Sequence, residues 1–143
     1  ISVINELAVP IVNDNWSRGL GSSISAGVKK ISRFSKYDSL LITLADQIGI
    51  RQIDYELLIS NFDGSRAVAT SYRNGFGVPA VFPYSYFSKL ELMDVKGGAK
   101  SILNDENDEN DENDDILGVH LLGSLMDIDT QEDLNKYLKS MSN

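Results

Sequence analysis

An α/β fold built on a mainly parallel sheet is what this sequence predicts, and three observations predict it. Short apolar runs alternate with helical patterns along the chain, the order that places helices over parallel strands. The run from Ser39 to Leu44 is almost continuously apolar, without the polar alternation of a half-exposed strand, and ends in Ala45-Asp46-Gln47. A second run, Val119 to Met126, ends in Asp127-Ile128-Asp129 before another helical pattern. In open sheets of this class ligands gather outside the carboxyl ends of the strands, so function is sought there.

Taken in order, strands are predicted over Val9–Asn13, Ser39–Asp46, Ala67–Tyr72, Val78–Phe82 and Leu121–Asp127. A first helix is predicted over Ser22–Ser35, where Ile24, Val28 and Ile31 recur at spacings of four and three and Lys29, Lys30 and Arg33 take the other face. Ser22 and Ser23 are its candidate N-caps. Asp54–Phe62 carries Leu57, Leu58 and Phe62 behind an acidic first turn. Phe87–Met93 and Ala99–Leu103 read as shorter helices. The last helix, Gln131–Met141, follows Thr130, and Asp133 three residues on makes a capping-box pattern. One exception to the alternation is Arg73-Asn74-Gly75-Phe76-Gly77, hairpin chemistry between two strands, expected as an edge hairpin beside the crevice.

The 143 residues suit one domain, spanning 1–143, with 42% hydrophobic and 24% charged residues. The absence of cysteine excludes disulfides, thiolate metal sites and cysteine nucleophiles. The single histidine, His120, lies in an apolar run and reads as a packed or loop histidine rather than a catalytic one. A net charge of −8 argues against nonspecific binding to nucleic acid or to an anionic membrane. That charge is local. The tract 104–115 repeats Asn-Asp-Glu and holds eight acidic residues, so the remainder of the chain sums to about zero (−8 + 8). Without apolar content the tract is expected to be a mobile surface loop, and it lacks the glycine and spacing of an EF-hand. No run of 18 apolar residues and no leader pattern is present, and the absence of cysteine suits a cytoplasmic protein. The chain begins with Ile1 and is expected to be a fragment.

Two carboxylate sites at strand ends favour a hard cation such as Mg²⁺. Asp46 and Asp129 are the candidate catalytic and metal-binding pair, with Asp127 as a further candidate. Taken singly, Asp46 reads equally well as a turn cap and Asp129 as a helix cap.

Four segments then fall into a familiar order. Asn13-Asp14-Asn15-Trp16-Ser17-Arg18-Gly19-Leu20-Gly21-Ser22-Ser23-Ile24 is followed by Leu44-Ala45-Asp46-Gln47, by Gly77-Val78-Pro79-Ala80-Val81-Phe82, and by Asp127 to Leu134. Together, across about residues 10–135, they resemble the molybdenum-cofactor cytidylyltransferases of the MobA-like nucleotidyltransferase superfamily. The resemblance implies a Rossmann-like sheet. It also implies transfer of CMP from CTP, or GMP from GTP in the sister branch, to a molybdopterin-type acceptor, with a molybdoenzyme as downstream partner. It puts Asp46 and Asp129 at the Mg²⁺ positions, Asn15, Gly19, Ser22, Ser23 and Gln47 at the nucleotide, and Gly77, Pro79 and Phe82 at the acceptor. Gln47 is expected to bond a ribose or a phosphate, and Trp16 either packs in the core or stacks on a ligand.

Two departures stand out. The family's first strand and glycine-rich triphosphate loop should precede Ile1, and without that loop the chain alone is expected to be inactive. Where the family often carries Gly-Asp-Lys-Gly-Ala-Arg, this chain has Val95-Lys96-Gly97-Gly98-Ala99-Lys100, with Lys96 at the acidic position. Two other readings stay open. In one, Asp127-Ile128-Asp129 is the acid-x-acid motif of a GT-A-type glycosyltransferase. In the other, the chain is a noncatalytic binding or chaperone module on a nucleotide fold.

Overall fold

The computed structural model describes residues 8–34, 36–93, 98–104, 116–125 and 135. Four strands form one sheet in the order β1-β3-β2-β4, where β1 is Ser39–Ile42, β2 Val68–Tyr72, β3 Gly75–Pro83 and β4 Leu117–Val119. The helices are α1 (Leu20–Ile31), α2 (Gln52–Ser60), α3 (Phe87–Glu91) and α4 (Ala99–Leu103). The fold is α/β, as the sequence predicts.

The sheet itself is mixed. β3 runs antiparallel to both β1 and β2, and among the described residues only β2 with β4 forms a parallel pair. The strands β1, β2 and β4 do share one direction, because β3 is inserted in reverse between the first two. The β2–β3 hairpin therefore occupies the middle of the four strands and not an edge, and only its turn reaches the rim. Hairpin geometry explains the turn. Among the described residues none other than glycine has positive φ, so Gly75 at φ 107° supplies the conformation that Asn74 does not adopt.

Alternation along the strands sorts the core into two layers. Ala69 of β2 and Ala80 and Phe82 of β3 face α1, α3 and α4, packing with Val28, Tyr86, Leu90 and Leu103. Val68 and Val81 face the opposite side, where they meet Leu58 of α2 and Leu121.

Four sequence expectations shift. β1 stops at Ile42, so Asp46 lies in the loop that follows and not at the end of the strand. The stretch predicted as a strand at Val9–Asn13 is irregular: Pro10 has no N–H to pair, and Val9 and Val12 stay 78% and 82% exposed. The last strand lies earlier than Leu121–Asp127, at Leu117–Val119, because Leu117 pairs with Val68 and its N–H reaches the Ala67 carbonyl at 3.0 Å. The chain then turns through Leu122–Leu125, where a Cβ on Gly123 would collide with the Gly49 carbonyl. Finally, α1 starts at Leu20 with Gly19 as its N-cap (φ 112°), so Ser22 is the third helical residue and not the cap.

A register shift in the hairpin fixes the region that matters most. Ala69 pairs with Ala80 but Thr70 pairs with Gly77, which leaves Val78 and Pro79 of β3 outside the ladder. Their peptide bond is cis. The displaced carbonyls are caught by side chains. Thr70 donates to Pro79 O at 2.7 Å, while Tyr72 and Gln47 donate to Val78 O at 2.6 and 3.0 Å.

Candidate functional site

The loop Thr43–Arg51 leaves the carboxyl end of β1, and the β2–β3 turn leaves that of β2, at the same edge of the sheet. Two cavities lie against α1. The first is a polar cleft of about 340 Å³ lined by Asn13, Asn15, Arg18, Ser22, Ser25, Lys29 and Glu91 among others. The second is a larger crevice of about 570 Å³, lined by Leu20 and Ile24 of α1, by Ile42, Leu44 and Gln47, and by the hairpin residues Tyr72 to Val78. Both are of ligand size.

In the polar cleft one side chain holds the approach to α1. Asn13 donates from Nδ2 to the hydroxyls of Ser22 and Ser23, each at 2.9 Å, and its Oδ1 accepts from the Asn15 N–H at 2.9 Å. The single Ser22 hydroxyl proton is shared between the carbonyls of Gly19 (2.7 Å) and Asn15 (2.9 Å). Ser25 ties the cleft floor to α3 by donating to Glu91 O at 2.5 Å. Gly19, whose extended approach begins the helix, and the exposed Ser23 complete this segment. Trp16 is 74% exposed, which removes it from the core. Asn13 itself was not among the sequence candidates. Its signal was an Asn-x-Asn turn nine residues before a serine pair.

In the crevice, Gln47 is buried and donates from Nε2 to Tyr72 Oη and to Val78 O, both at 3.0 Å. Its Oε1 has no hydrogen-bond partner among the described residues. Arg73, Asn74 and Lys100 stand at the rim. None of these three, nor Tyr72, was legible as a site residue, because their proximity depends on the hairpin folding back over α4. Asn104 makes that fold-back specific. It accepts from the Phe76 N–H at 2.8 Å and donates to Phe76 O and Lys100 O at 2.8 and 2.7 Å. The sequence groups Asn104 with the acidic tract; its side chain instead braces the hairpin.

The candidate residues thus separate. Asn15, Gly19, Ser22 and Ser23 gather at the polar cleft, while Gln47 and Gly77 line the crevice. Pro79 and Phe82 are fully buried, Phe82 with its ring 5.5 Å from that of Tyr86, so their side chains shape the wall from behind. Asp46 is exposed beside Gln47 and makes no ion pair among the described residues. Asp127 and Asp129 lie outside the described residues, as do Lys96, the bulk of the acidic tract and almost all of the last predicted helix. Among the described residues no group of three or more His, Asp or Glu is placed to hold a metal. A single uncommitted carboxylate still fits a hard cation that takes one or two protein ligands and shares substrate phosphate oxygens. No described helix is long and apolar enough to cross a membrane.

A family model for the MobA-like NTP transferase domain matches residues 2–112. The chain belongs to the MobA-like NTP transferase domain family. Among solved structures it is similar to the homologue of Mycobacterium tuberculosis Rv0371c from Mycobacterium sp. strain JC1, with a TM-score of 0.60 and 19% identity. That likeness concerns the fold. It covers 82% of this chain and 58% of the other, so the chain spans a little over half of that protein's length. No curated protein matches the chain.

Proposed function

We propose that this MobA-like domain is part of an Mg²⁺-dependent cytoplasmic nucleotidyltransferase. It moves CMP or GMP from a nucleoside triphosphate to a phosphorylated acceptor of the molybdopterin type, which then passes to a molybdoenzyme. The observation that carries the reading is the pair of ligand-sized cavities that α1 helps to line, one polar and one apolar, since a transfer reaction needs a place for each of two substrates. The polar cleft suits the nucleotide. Asn13 and Asn15 hold its wall through Ser22 and Ser23, and Arg18 and Lys29 bring positive charge for phosphate. The crevice suits the acceptor.

Nucleotidyl transfer develops negative charge on the phosphorus centre and on the pyrophosphate leaving group, so the protein's task is to position and to neutralise. Asp46, exposed in the loop that follows β1, would hold the Mg²⁺ ion, joined by Asp129 and with Asp127 as a further candidate. When bound, the ion supplies charge neutralisation at the phosphates. The chain's own residues orient the two substrates and exclude water from between them.

The test is Asp46→Asn in the longest form of the protein that its gene encodes, with pyrophosphate release from CTP and GTP as the readout. Asparagine keeps the size and one acceptor, so Tm should stay within a degree or so of wild type. Turnover should fall by roughly two or more orders of magnitude, the scale for losing one key electrostatic group. A near-normal rate in the variant would remove Asp46 from the metal site. A wild-type protein that binds nucleotide but never releases pyrophosphate would support the noncatalytic module.

A further inference from the structure

We infer that Gln47 is a positioning residue: its amide pins the loop Thr43–Arg51 to the expelled stretch of β3 and so fixes where the Asp46 carboxylate stands. The inference rests on the reading of Asp46 as the metal-binding carboxylate. It goes further by giving that carboxylate a named support, in place of the ribose or phosphate contact that the resemblance implies for Gln47.

The Gln47 amide has nothing left to offer a ligand. Its two hydrogens are engaged, one by Tyr72 Oη and one by Val78 O, both at 3.0 Å. Its Oε1 is buried without a partner among the described residues, and the residue as a whole is 9% exposed. The orientation is fixed as well. Tyr72 spends its own proton on Val78 O at 2.6 Å, so both neighbours of Nε2 accept, and turning the amide over would set oxygen against two acceptors.

The two sides of this tie do not need it equally. On the hairpin side it is surplus: Val78 O already has Tyr72 as a donor, and Pro79 O has Thr70 at 2.7 Å. On the loop side nothing replaces it. Between Thr43 and Arg51 the only polar side chains are Asp46 and Gln47. The two ends of the loop are held by α2, where Thr43 Oγ1 meets Tyr55 Oη at 2.9 Å and the Arg51 N–H donates to Asp54 at 2.8 Å. The middle turns on its own backbone, through Ile48 N–H to Asp46 O at 2.9 Å and Ile50 N–H to Gln47 O at 3.1 Å. Ile50 then packs against the layer of Leu58 and Val68. Gln47 is the polar attachment directly beside Asp46. An exposed carboxylate on a free turn would spend conformational entropy each time it met a cation, and a bonded neighbour removes that cost in advance.

The first test uses this chain, isotopically labelled and without nucleotide. In the wild type the Gln47 side-chain amide protons should exchange with solvent more slowly than those of the exposed Gln52. Exchange at the same rate would overturn the inference without any variant. Gln47→Met keeps the length and removes both bonds. It should lower the backbone order of Ala45 to Ile48, while Tyr72 to Val78 keep theirs because Tyr72 still serves Val78 O. A loop as ordered as in the wild type would overturn the inference too. The second test uses the longest form of the protein that its gene encodes. Gln47→Met should raise the Mg²⁺ concentration for half-maximal pyrophosphate release by roughly ten- to a hundredfold, the scale for losing a group that orients a metal ligand. Saturating Mg²⁺ should restore most of the rate, with the nucleotide KM at its wild-type value. A raised KM with an unchanged Mg²⁺ requirement would make Gln47 a nucleotide contact and overturn the inference. Tyr55→Phe, which frees only the start of the loop, should leave the Mg²⁺ requirement unchanged; an equal rise there would deny Gln47 its particular role. A near-normal rate in Asp46→Asn sinks the metal reading alone, because the exchange and order measurements still decide whether Gln47 pins the loop. Failure of those measurements leaves the transfer reading untouched.

Discussion

The two faces of α1 present opposite chemistry to two cavities that the same twelve-residue helix divides. Ser22, Ser25 and Lys29, spaced by three and four, line the polar cleft; Leu20 and Ile24 line the apolar crevice. Sequence patterning assigns the apolar stripe to the core and the opposite stripe to solvent. Here part of each stripe is spent on a cavity wall. The lesson is that an amphipathic helix beside a sheet edge is able to partition two substrates, and that its polar residues are then held by partners and not merely hydrated. The partners differ in reach. In the cleft, Asn13 and Ser22 bond within one short segment of chain; in the crevice, Gln47, Thr70 and Tyr72 rescue backbone carbonyls expelled from the sheet.

The largest test of that contrast is Thr70→Val. The substitution keeps the shape but leaves Pro79 O buried without its 2.7 Å donor. A buried acceptor stripped of its partner costs about 1–3 kcal/mol, so Tm should fall by several degrees. Amide resonances from Tyr72 to Val78 should move, while those from Asn13 to Ser25 stay in place. If the cleft moves as much as the crevice, the two sites are one cooperative unit and the contrast fails.

How far the sequence reaches differs between the two cavities for a physical reason. The cleft is nearly local: Asn13, Asn15, Ser22 and Ser23 lie within one turn-and-helix segment, and their types and spacing were visible as a motif. The crevice is assembled from β1's loop, the hairpin and α4. Gln47 and Gly77 could be named from the family resemblance, but Tyr72, Arg73 and Lys100 become neighbours only through long-range pairing. The alternation of strands and helices was also legible. Strand order was not, because a reversed β3 inserted between β1 and β2 leaves the same local pattern as a hairpin at an edge. Short apolar runs likewise do not say where pairing begins, which is why β4 lies at Leu117–Val119 and not further along.

A middle-sized effect is expected from Ser22→Ala. Asn13 loses one of its two hydroxyl acceptors but keeps Ser23, so the segment should hold its course at a cost of about 1 kcal/mol. Nucleotide affinity, measured by calorimetry in the longest form of the protein, should fall more than stability does. Amide resonances from Tyr72 to Val78 should stay in place. Movement of those resonances would show that Ser22 supports α1 as a whole and does not serve the cleft alone.

The smallest effects concern the junction of α4 with the acidic tract, and they sharpen the contrast by separating a brace from its neighbours in sequence. Asn104 joins the hairpin to α4 through three bonds of 2.7–2.8 Å, yet it is exposed, so water replaces much of what a substitution removes. Asn104→Ala should therefore cost about 0.5–1 kcal/mol and move the amide resonances from Tyr72 to Val78, with those of the cleft unaffected. The residues that follow have a composition that gives burial nothing to gain, and a surface connection shortens at little free-energy cost. Removing 106–114 while keeping Asn104 should leave Tm and nucleotide affinity nearly unchanged. This pair of variants is decisive only together. A drop of several degrees on excision, with Asn104 intact, would mean that the tract packs against the domain, and the crevice would then have a third wall that its composition conceals.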